Sequence, residues 1–126
     1  MPVKRAEKTP MPVRDPHMRA HDFEEVNEGY CFAHAMFEAE RCLRCQDPVC
    51  VDGCPVRVPI ADFMHAVAAN DMEKASQILR EANPLAAICG RVCPQEAQCE
   101  KNCHMTKRFG AVAIGHPIGA SGARCL

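Results

Sequence analysis

Four cysteines in one short segment constrain this chain more than any other feature. Segment 41–55 reads RCLRCQDPVCVDGCP, with the spacing C-x2-C-x4-C-x3-C-P. Its cysteines are Cys42, Cys45, Cys50 and Cys54. A Cys-x2-Cys turn can direct two thiolates at one metal centre, and the other two cysteines supply more soft ligand than one zinc ion usually needs from so short a segment. The segment therefore predicts a sulfur-rich metal site.

A second cysteine group lies in segment 88–103, which reads ICGRVCPQEAQCEKNC. Its cysteines are Cys89, Cys93, Cys99 and Cys103. The two groups give eight thiols, which is the ligand count for two four-iron clusters. Bacterial two-cluster ferredoxins use a run similar to 41–55, in which the fourth cysteine ligates the other cluster.

The composition indicates that something besides apolar packing stabilises the fold. The 126 residues suit one domain, and the net charge of −1 gives no field that would attract nucleic acid or a membrane. Leu, Ile, Val and Phe together number 24, about 19% of the chain, which is low for a globular protein. The ten cysteines are the obvious additional source of stability.

Disulfides would require an oxidising compartment. Residues 1–17, MPVKRAEKTPMPVRDPH, lack the apolar region of a signal peptide. No apolar run is long enough to span a bilayer. We therefore expect a cytoplasmic protein in which the grouped cysteines bind metal.

Helical periodicity predicts three helices around the cysteines. The first covers 32–44 and leads directly into Cys42 and Cys45; the second begins at Pro59; the third has an apolar face from Met72 to Ala82. We expect the second and third helices to cover the metal site with apolar surface.

Several single residues have expected roles in this plan. Asn70 is a candidate left-handed stop for the second helix, and with Glu73 it resembles a capping box for the third. Cys31 is expected to be a small buried residue and not a ligand. His65 lies off the apolar stripe and is expected to be exposed.

The chain divides into three predicted parts. Residues 1–29 form an extended basic arm, 30–109 a helical two-cluster domain, and 110–126 a glycine-rich tail. Prolines at the start of the arm are expected to prevent regular structure. A solvated tail is favoured there over a strap that lies on a larger partner.

Four interpretations compete for the cysteines. Two iron–sulfur clusters explain the number of thiols, the Cys-Pro ending and the all-sulfur donor set. Two structural zinc ions would also accept eight cysteines, but only Cys42 and Cys45 form a zinc-type Cys-x2-Cys knuckle. Disulfides fit the composition but not the expected compartment. A catalytic thiol needs a basic partner, and no Cys–His motif stands out.

The residues around the cysteines resemble a known family. FEEVNEGY, EAERCLRCQDPVCVDGCPVRVPIADF and ICGRVCPQEAQCEKNC resemble the N-terminal iron–sulfur domain of the glutamate synthase small subunit. Related domains occur in NADH-dependent ferredoxin:NADP oxidoreductases and in dihydropyrimidine dehydrogenase. The resemblance covers roughly residues 8–115 and implies an all-α, α-helical ferredoxin-like fold with two [4Fe-4S] clusters. It also implies electron transfer between a flavin, in an FAD/NAD(P)H module, and a partner redox centre.

The resemblance also implies two ligand sets. One cluster would be held by Cys42, Cys45, Cys50 and Cys103. The other would be held by Cys54, Cys93 and Cys99. Cys89 has a counterpart in the family that is not usually a ligand.

The chain departs from the family pattern near its end. Relatives complete the second cluster with an acidic residue or glutamine at about Ile118, which cannot ligate iron. Cys89 is expected to take its place, with Cys125 as a more remote alternative. The segment GHPIGASGAR resembles the C-terminal motif of thiolases, but the rest of a thiolase is missing, so no catalytic role is expected for His116.

Together these patterns predict a small all-α iron–sulfur protein that relays electrons and catalyses no substrate reaction alone. No G-x-G-x-x-G motif is present, so FAD and NAD(P)H are expected only on a flavin-containing partner or missing module. The alternatives are a structural zinc module for protein contact and, third, a thiolase-related fragment. Neither nucleic acid nor membrane is an expected partner.

Overall fold

The computed structural model describes residues 7–112, apart from the side chain of Arg108. The helices are α1 Pro16–Arg19, α2 Phe32–Glu40, α3 Val49–Asp52, α4 Ile60–Ala68, α5 Met72–Ala82, α6 Ala86–Val92, α7 Cys99–Asn102 and α8 Thr106–Phe109, with a 3₁₀ turn at Gln95–Ala97. Within the described residues, extended pairing is limited to an isolated bridge between Val13 and Asn27. The predicted all-α class is confirmed. Over this range, no helix has both the length and the apolar character needed to cross a membrane.

The core lies where α4 packs between α2 and α5. The predicted apolar stripe of α4 is buried, with Ile60 1%, Met64 0% and Val67 2% exposed. Full burial of such a side chain contributes about 1.5–3 kcal/mol. Small residues on the facing helices, Ala39 of α2 and Ala75 of α5, are also buried and let the helices approach closely.

Helix α2 is shorter than predicted, and this changes how the first two cysteines are held. It ends at Glu40, whereas the periodicity predicted a helix through 44. Arg44 has φ of 52°, in the left-handed region that a right-handed helix cannot include. Cys42 and Cys45 therefore lie in the connection after α2. Leu43, which lies within the predicted helix but after the end of α2, is 45% exposed.

The junction between α4 and α5 confirms one expectation and corrects another. Asn70 has φ of 59° and is the predicted left-handed stop. The N-cap of α5 is Asp71, not Asn70, because the carboxylate of Asp71 accepts the Lys74 N–H at 3.1 Å.

His65 is exposed, as predicted. Cys31 is also exposed, so the prediction of a buried residue there is wrong.

Residues 12–28 form a small folded loop. The Arg14 N–H donates to the Val26 carbonyl at 2.9 Å, and the Glu28 N–H donates to the Pro12 carbonyl at 2.9 Å. Asp15 caps α1 by accepting two backbone N–H groups, and Pro16 occupies its first turn, where proline is tolerated. The expectation that prolines prevent all regular structure here is wrong at Pro16.

A buried ion pair connects α2 to both ends of the described chain. Arg41 and Glu38 are each 0% exposed, and the Arg41 guanidinium donates to the Glu38 carboxylate. The Thr9 N–H donates to Glu38 Oε2 at 2.9 Å, and the Tyr30 hydroxyl donates to the Thr9 carbonyl. Thr9 is itself buried, so the prediction of a solvated tail is wrong there.

The same arginine holds the chain after α8. Arg41 Nη2 donates to the carbonyls of Phe109 at 2.8 Å and Gly110 at 2.9 Å, and Nη1 donates to that of Ala111 at 3.3 Å. Ala111 and Val112 are buried. The expected glycine-rich tail thus begins with ordered residues, and its remainder, 113–126, lies outside the described residues.

Candidate metal centres

The two cysteine groups meet where α3 packs against α7. Helix α3 contains Cys50 and is followed by Cys54, and α7 begins at Cys99 and is followed by Cys103. Gly53 makes this approach possible, because a Cβ there would lie 2.9 Å from the Gln98 carbonyl oxygen. The glycine between the third and fourth cysteines of the run therefore has a packing role.

Four cysteines line the first cavity: Cys42, Cys45, Cys50 and Cys103. Its volume is about 30 Å³, and the rest of its wall includes Leu43, Ile60 and Val112. Three of the cysteines come from the single segment 41–55, and α7 positions the fourth.

Burial and, to a smaller extent, the neighbouring Cys103, Cys42 and Cys45 thiols raise the pKa of Cys50 to about 11. The mutual influence of these four thiols agrees with their position around one cavity. Because a coordinating thiol must be deprotonated, metal binding here releases protons.

The other four cysteines line a larger second cavity: Cys54, Cys89, Cys93 and Cys99. Its volume is about 280 Å³, and α4 and α5 supply apolar walls through Ile60, Phe63 and Leu79. Ile60 lines both cavities and is 1% exposed. The two helices thus supply the expected apolar cover at the second cavity, whereas at the first only α4 does so.

The thiols of the second cavity share an apolar, negatively biased environment. Burial and, to a smaller extent, the neighbouring Glu100, Cys54 and Cys93 raise the pKa of Cys99 to about 12. Burial also raises the pKa of Cys93, and the neighbouring Cys54 and Cys89 thiols contribute to this increase. Such surroundings disfavour free thiolates and are compensated when a cationic metal centre binds the sulfurs.

Two amide side chains contact the sulfurs of this cavity. Cys93 Sγ lies 3.3 Å from Gln98 Oε1, and Cys89 Sγ lies 3.8 Å from Asn83 Oδ1. In the thiol form each sulfur donates to the amide oxygen. Toward a metal-bound Cys93 thiolate, the Gln98 amide, reoriented about its last torsion, offers an N–H instead. Hydrogen bonds to cluster sulfurs are one determinant of potential.

The cavities thus group the cysteines as the resemblance implied, with Cys89 added to the second set. Cys31 lines neither cavity, and Ile118, His116 and Cys125 lie outside the described residues. Within residues 7–112, no three His, Cys, Asp or Glu side chains are arranged to hold a single metal ion. The ligand role of each cysteine remains a prediction.

Sequence reasoning missed the Glu38–Arg41 pair beside the first cavity. Arg41 immediately precedes Cys42, and Arg41 and Glu38 are three residues apart, a spacing that brings side chains together on a helix. That spacing was the available signal. It does not reveal burial, since such pairs are usually solvent-exposed.

Comparison with known proteins identifies the family. Residues 19–117 match the model described as dihydropyrimidine dehydrogenase domain II, 4Fe-4S cluster. This range is most of the chain, and it includes all eight grouped cysteines.

Curated relatives agree with this match. The glutamate synthase [NADPH] small chain of Halomonas elongata is 39% identical over 97 residues, which are 77% of this chain and 21% of the relative. The Escherichia coli glutamate synthase [NADPH] small chain is 35% identical over 99 residues, 79% of this chain and 21% of the relative. The NAD-dependent dihydropyrimidine dehydrogenase subunit PreT of Escherichia coli is 34% identical over 92 residues, 73% of this chain and 22% of the relative.

The chain therefore spans about a fifth of the length of these relatives. The family predicted from the cysteine segments is confirmed, and with it the iron–sulfur class. This chain belongs to the family described as dihydropyrimidine dehydrogenase domain II, 4Fe-4S cluster, and over most of its own length it is similar to the glutamate synthase small chains.

Proposed function

We propose that this chain binds two [4Fe-4S] clusters and relays electrons between a flavin-containing NAD(P)H oxidoreductase module and a partner redox centre. The observation that supports this most strongly is the division of eight cysteines into two cavities that share the α3–α7 contact. When bound, the clusters supply one-electron redox chemistry. The chain's own residues hold the clusters, exclude water and bring the two sites together.

The size of the second cavity favours a cluster over a structural zinc ion there. A zinc ion sits at about 2.3 Å from each of its sulfurs and needs no cavity of its own. The second cavity has a volume of about 280 Å³, several times the roughly 30 Å³ that one water molecule occupies in the liquid. Four thiols around so large an apolar space suit a multi-atom group.

The shared α3–α7 contact supports a relay between the two sites. Each of these short helices is associated with one cysteine of each cavity: Cys50 and Cys99 lie within the helices, and Cys54 and Cys103 lie just after them. Two clusters held in this way would be neighbours, and Ile60 would lie against both. Electrons could then move between the clusters without a long gap.

The partner is inferred from the relatives. Their names specify NADPH for the glutamate synthase small chains and NAD for PreT. About four fifths of each lies outside the matched region. We infer that FAD and NAD(P)H bind a module or subunit that corresponds to this remainder, and we expect a cytoplasmic location.

Metal and sulfide analysis of anaerobically purified protein tests the proposal. Two clusters require about eight iron atoms and about eight acid-labile sulfides per chain. Reduction by dithionite should give electron paramagnetic resonance (EPR) signals of two interacting [4Fe-4S]⁺ clusters. Stoichiometric zinc without sulfide would overturn the proposal and favour the zinc-binding interaction module.

A further inference from the structure

We propose that the Cys89 thiolate is the fourth protein ligand of the cluster in the second cavity. The inference rests on the proposed function, since it concerns how that cluster is held. Its basis is that Cys89 lines the second cavity together with Cys54, Cys93 and Cys99. Four thiols around one cavity supply one sulfur for each iron of a four-iron cluster.

Helix α6 places Cys89 on the same side as Cys93. The two residues are one turn apart, and the Cys93 N–H donates to the Cys89 carbonyl at 2.8 Å, the i to i−4 bond of a regular helix. Side chains at this spacing lie above one another on one face. A helix turn that directs Cys93 into the cavity therefore directs Cys89 there as well.

Asn83 holds the Cys89 side chain at the cavity wall. Its Oδ1 accepts the Leu85 N–H at 3.1 Å, which fixes the amide, and the Cys89 thiol lies 3.8 Å from the same oxygen. Asn83 is 7% exposed and lines the cavity itself. The Cys89 thiol is thus oriented within the cavity wall.

Coordination of iron by Cys89 releases one proton. The S–H bond breaks, an S–Fe bond forms at an iron that lacks a protein ligand, and the proton leaves to solvent. No electron is transferred and no further reactant is required. The Asn83 oxygen loses its sulfur donor in this step and keeps the Leu85 N–H.

Gln98 is the rival ligand on the same wall. It lines the second cavity, and its side-chain oxygen lies 3.3 Å from Cys93 Sγ. A thiolate is the softer donor and the usual ligand of iron–sulfur clusters, whereas an amide oxygen suits harder cations. The anionic sulfur also adds negative charge, so ligation by Cys89 predicts a lower potential than ligation by Gln98 would give.

The test compares variants of the full chain, all purified anaerobically. Cys89→Ala and Cys89→Ser remove the proposed ligand. Gln98→Ala removes the rival, Cys125→Ser removes the remote cysteine, and Cys31→Ser is the matched control because Cys31 is exposed and lines neither cavity. The readouts are iron and sulfide per chain and EPR spectra of reduced and oxidised samples.

We expect Cys89→Ala to lose between one and four of the eight irons. Loss of one iron gives a three-iron EPR signal in the oxidised sample, and loss of four removes one reduced signal. The first cluster's signal should persist and reports that the variant is folded. Gln98→Ala, Cys125→Ser and Cys31→Ser should keep the full iron content.

Suppose that the unmodified chain contains about eight irons, and that Cys89→Ala has the same iron content and the same spectra. This result would overturn the assignment of Cys89 as a ligand but not the proposed function. Selective loss of the second signal in Gln98→Ala or Cys125→Ser, but not in Cys89→Ala, would also overturn it. Zinc without sulfide in the unmodified chain is the separate result that overturns the proposed function itself.

Discussion

The two cavities are lined by four cysteines each but are assembled in different ways. The first takes Cys42, Cys45 and Cys50 from segment 41–55 and only Cys103 from elsewhere. The second takes Cys54 from that segment, Cys89 from within α6, Cys93 from the C-cap of α6, and Cys99 from the start of α7. It is also the larger, at about 280 Å³ against about 30 Å³.

This contrast separates local from global assembly. The first site depends on one short loop and on the residues that hold it, whereas the second requires α5, α6 and α7 to dock correctly. We therefore expect changes in the α3–α7 contact to affect both sites, and changes near Arg41 to affect the first site more.

The largest expected effect is the loss of the fold when both clusters are removed. Apolar side chains are few, and eight cysteines surround the two cavities, so metal binding should contribute much of the folding free energy. Iron removal by a chelator should abolish cooperative thermal unfolding, as followed by circular dichroism. A metal-free chain with a native-like melting curve would contradict this dependence.

The next largest effect is expected from Arg41→Met. This substitution removes the cation that pairs with the buried Glu38 carboxylate. Breaking a buried ion pair in this way lowers the free energy of unfolding by about 3–5 kcal/mol. Arg41 also holds the chain next to Val112, which lines the first cavity, so the first cluster should be lost more readily than the second. Urea unfolding and iron content measure the two effects.

Arg57→Met is the matched control for this change. Arg57 pairs with Asp52 at 3.1 Å, but the two side chains are 67% and 64% exposed. An exposed pair contributes about 0–1 kcal/mol, so the urea midpoint should barely move. Equal destabilisation by the two substitutions would show that burial of the Glu38–Arg41 pair has no energetic importance.

A smaller effect is expected from Gly53→Ala. The new Cβ would lie 2.9 Å from the Gln98 carbonyl oxygen and 2.6 Å from Asn102 Nδ2, so α3 and α7 must separate slightly. Overpacking of this kind costs about 1–3 kcal/mol. Urea unfolding should show this loss, and both EPR signals should broaden together. A change in only one signal would refute a shared α3–α7 contact.

The smallest effect is expected in the N-terminal loop 12–28, whose residues line neither cavity. Hydrogen bonds from the Arg14 guanidinium and from the Glu24 N–H together lower the pKa of Asp22 to about 2. Because the folded pKa is depressed, this pair stabilises the loop above about pH 3.8, and the contribution is lost as the pH falls toward 2. An NMR titration should give this pKa, and Arg14→Gln should raise it while leaving iron content unchanged at neutral pH.

The sequence predicted the features that depend on local spacing. The cysteine groups, the apolar stripe of α4 and the left-handed Asn70 follow from residue type and periodicity, and the structure agrees. The end of α2 was predicted incorrectly because nothing in the local sequence marks the positive φ of Arg44.

Long-range contacts account for the other differences. The burial of Glu38 and Arg41 depends on Thr9 and on the carbonyls after α8, which are far away in the sequence. Cys31 is a typical buried residue type, but it precedes α2 at an exposed position. Cys89, by contrast, was expected at the second site, and α6 places it in the wall of the second cavity.

The central claim is that neighbouring cysteines of one run serve different clusters. EPR spectroscopy of Cys45→Ala and Cys54→Ala, each anaerobically purified and reduced, tests it most directly. Cys45 lines the first cavity and Cys54 the second, so each variant should lose a different signal and retain much of the other. Loss of the same signal in both variants would contradict the assignment of the run to two sites.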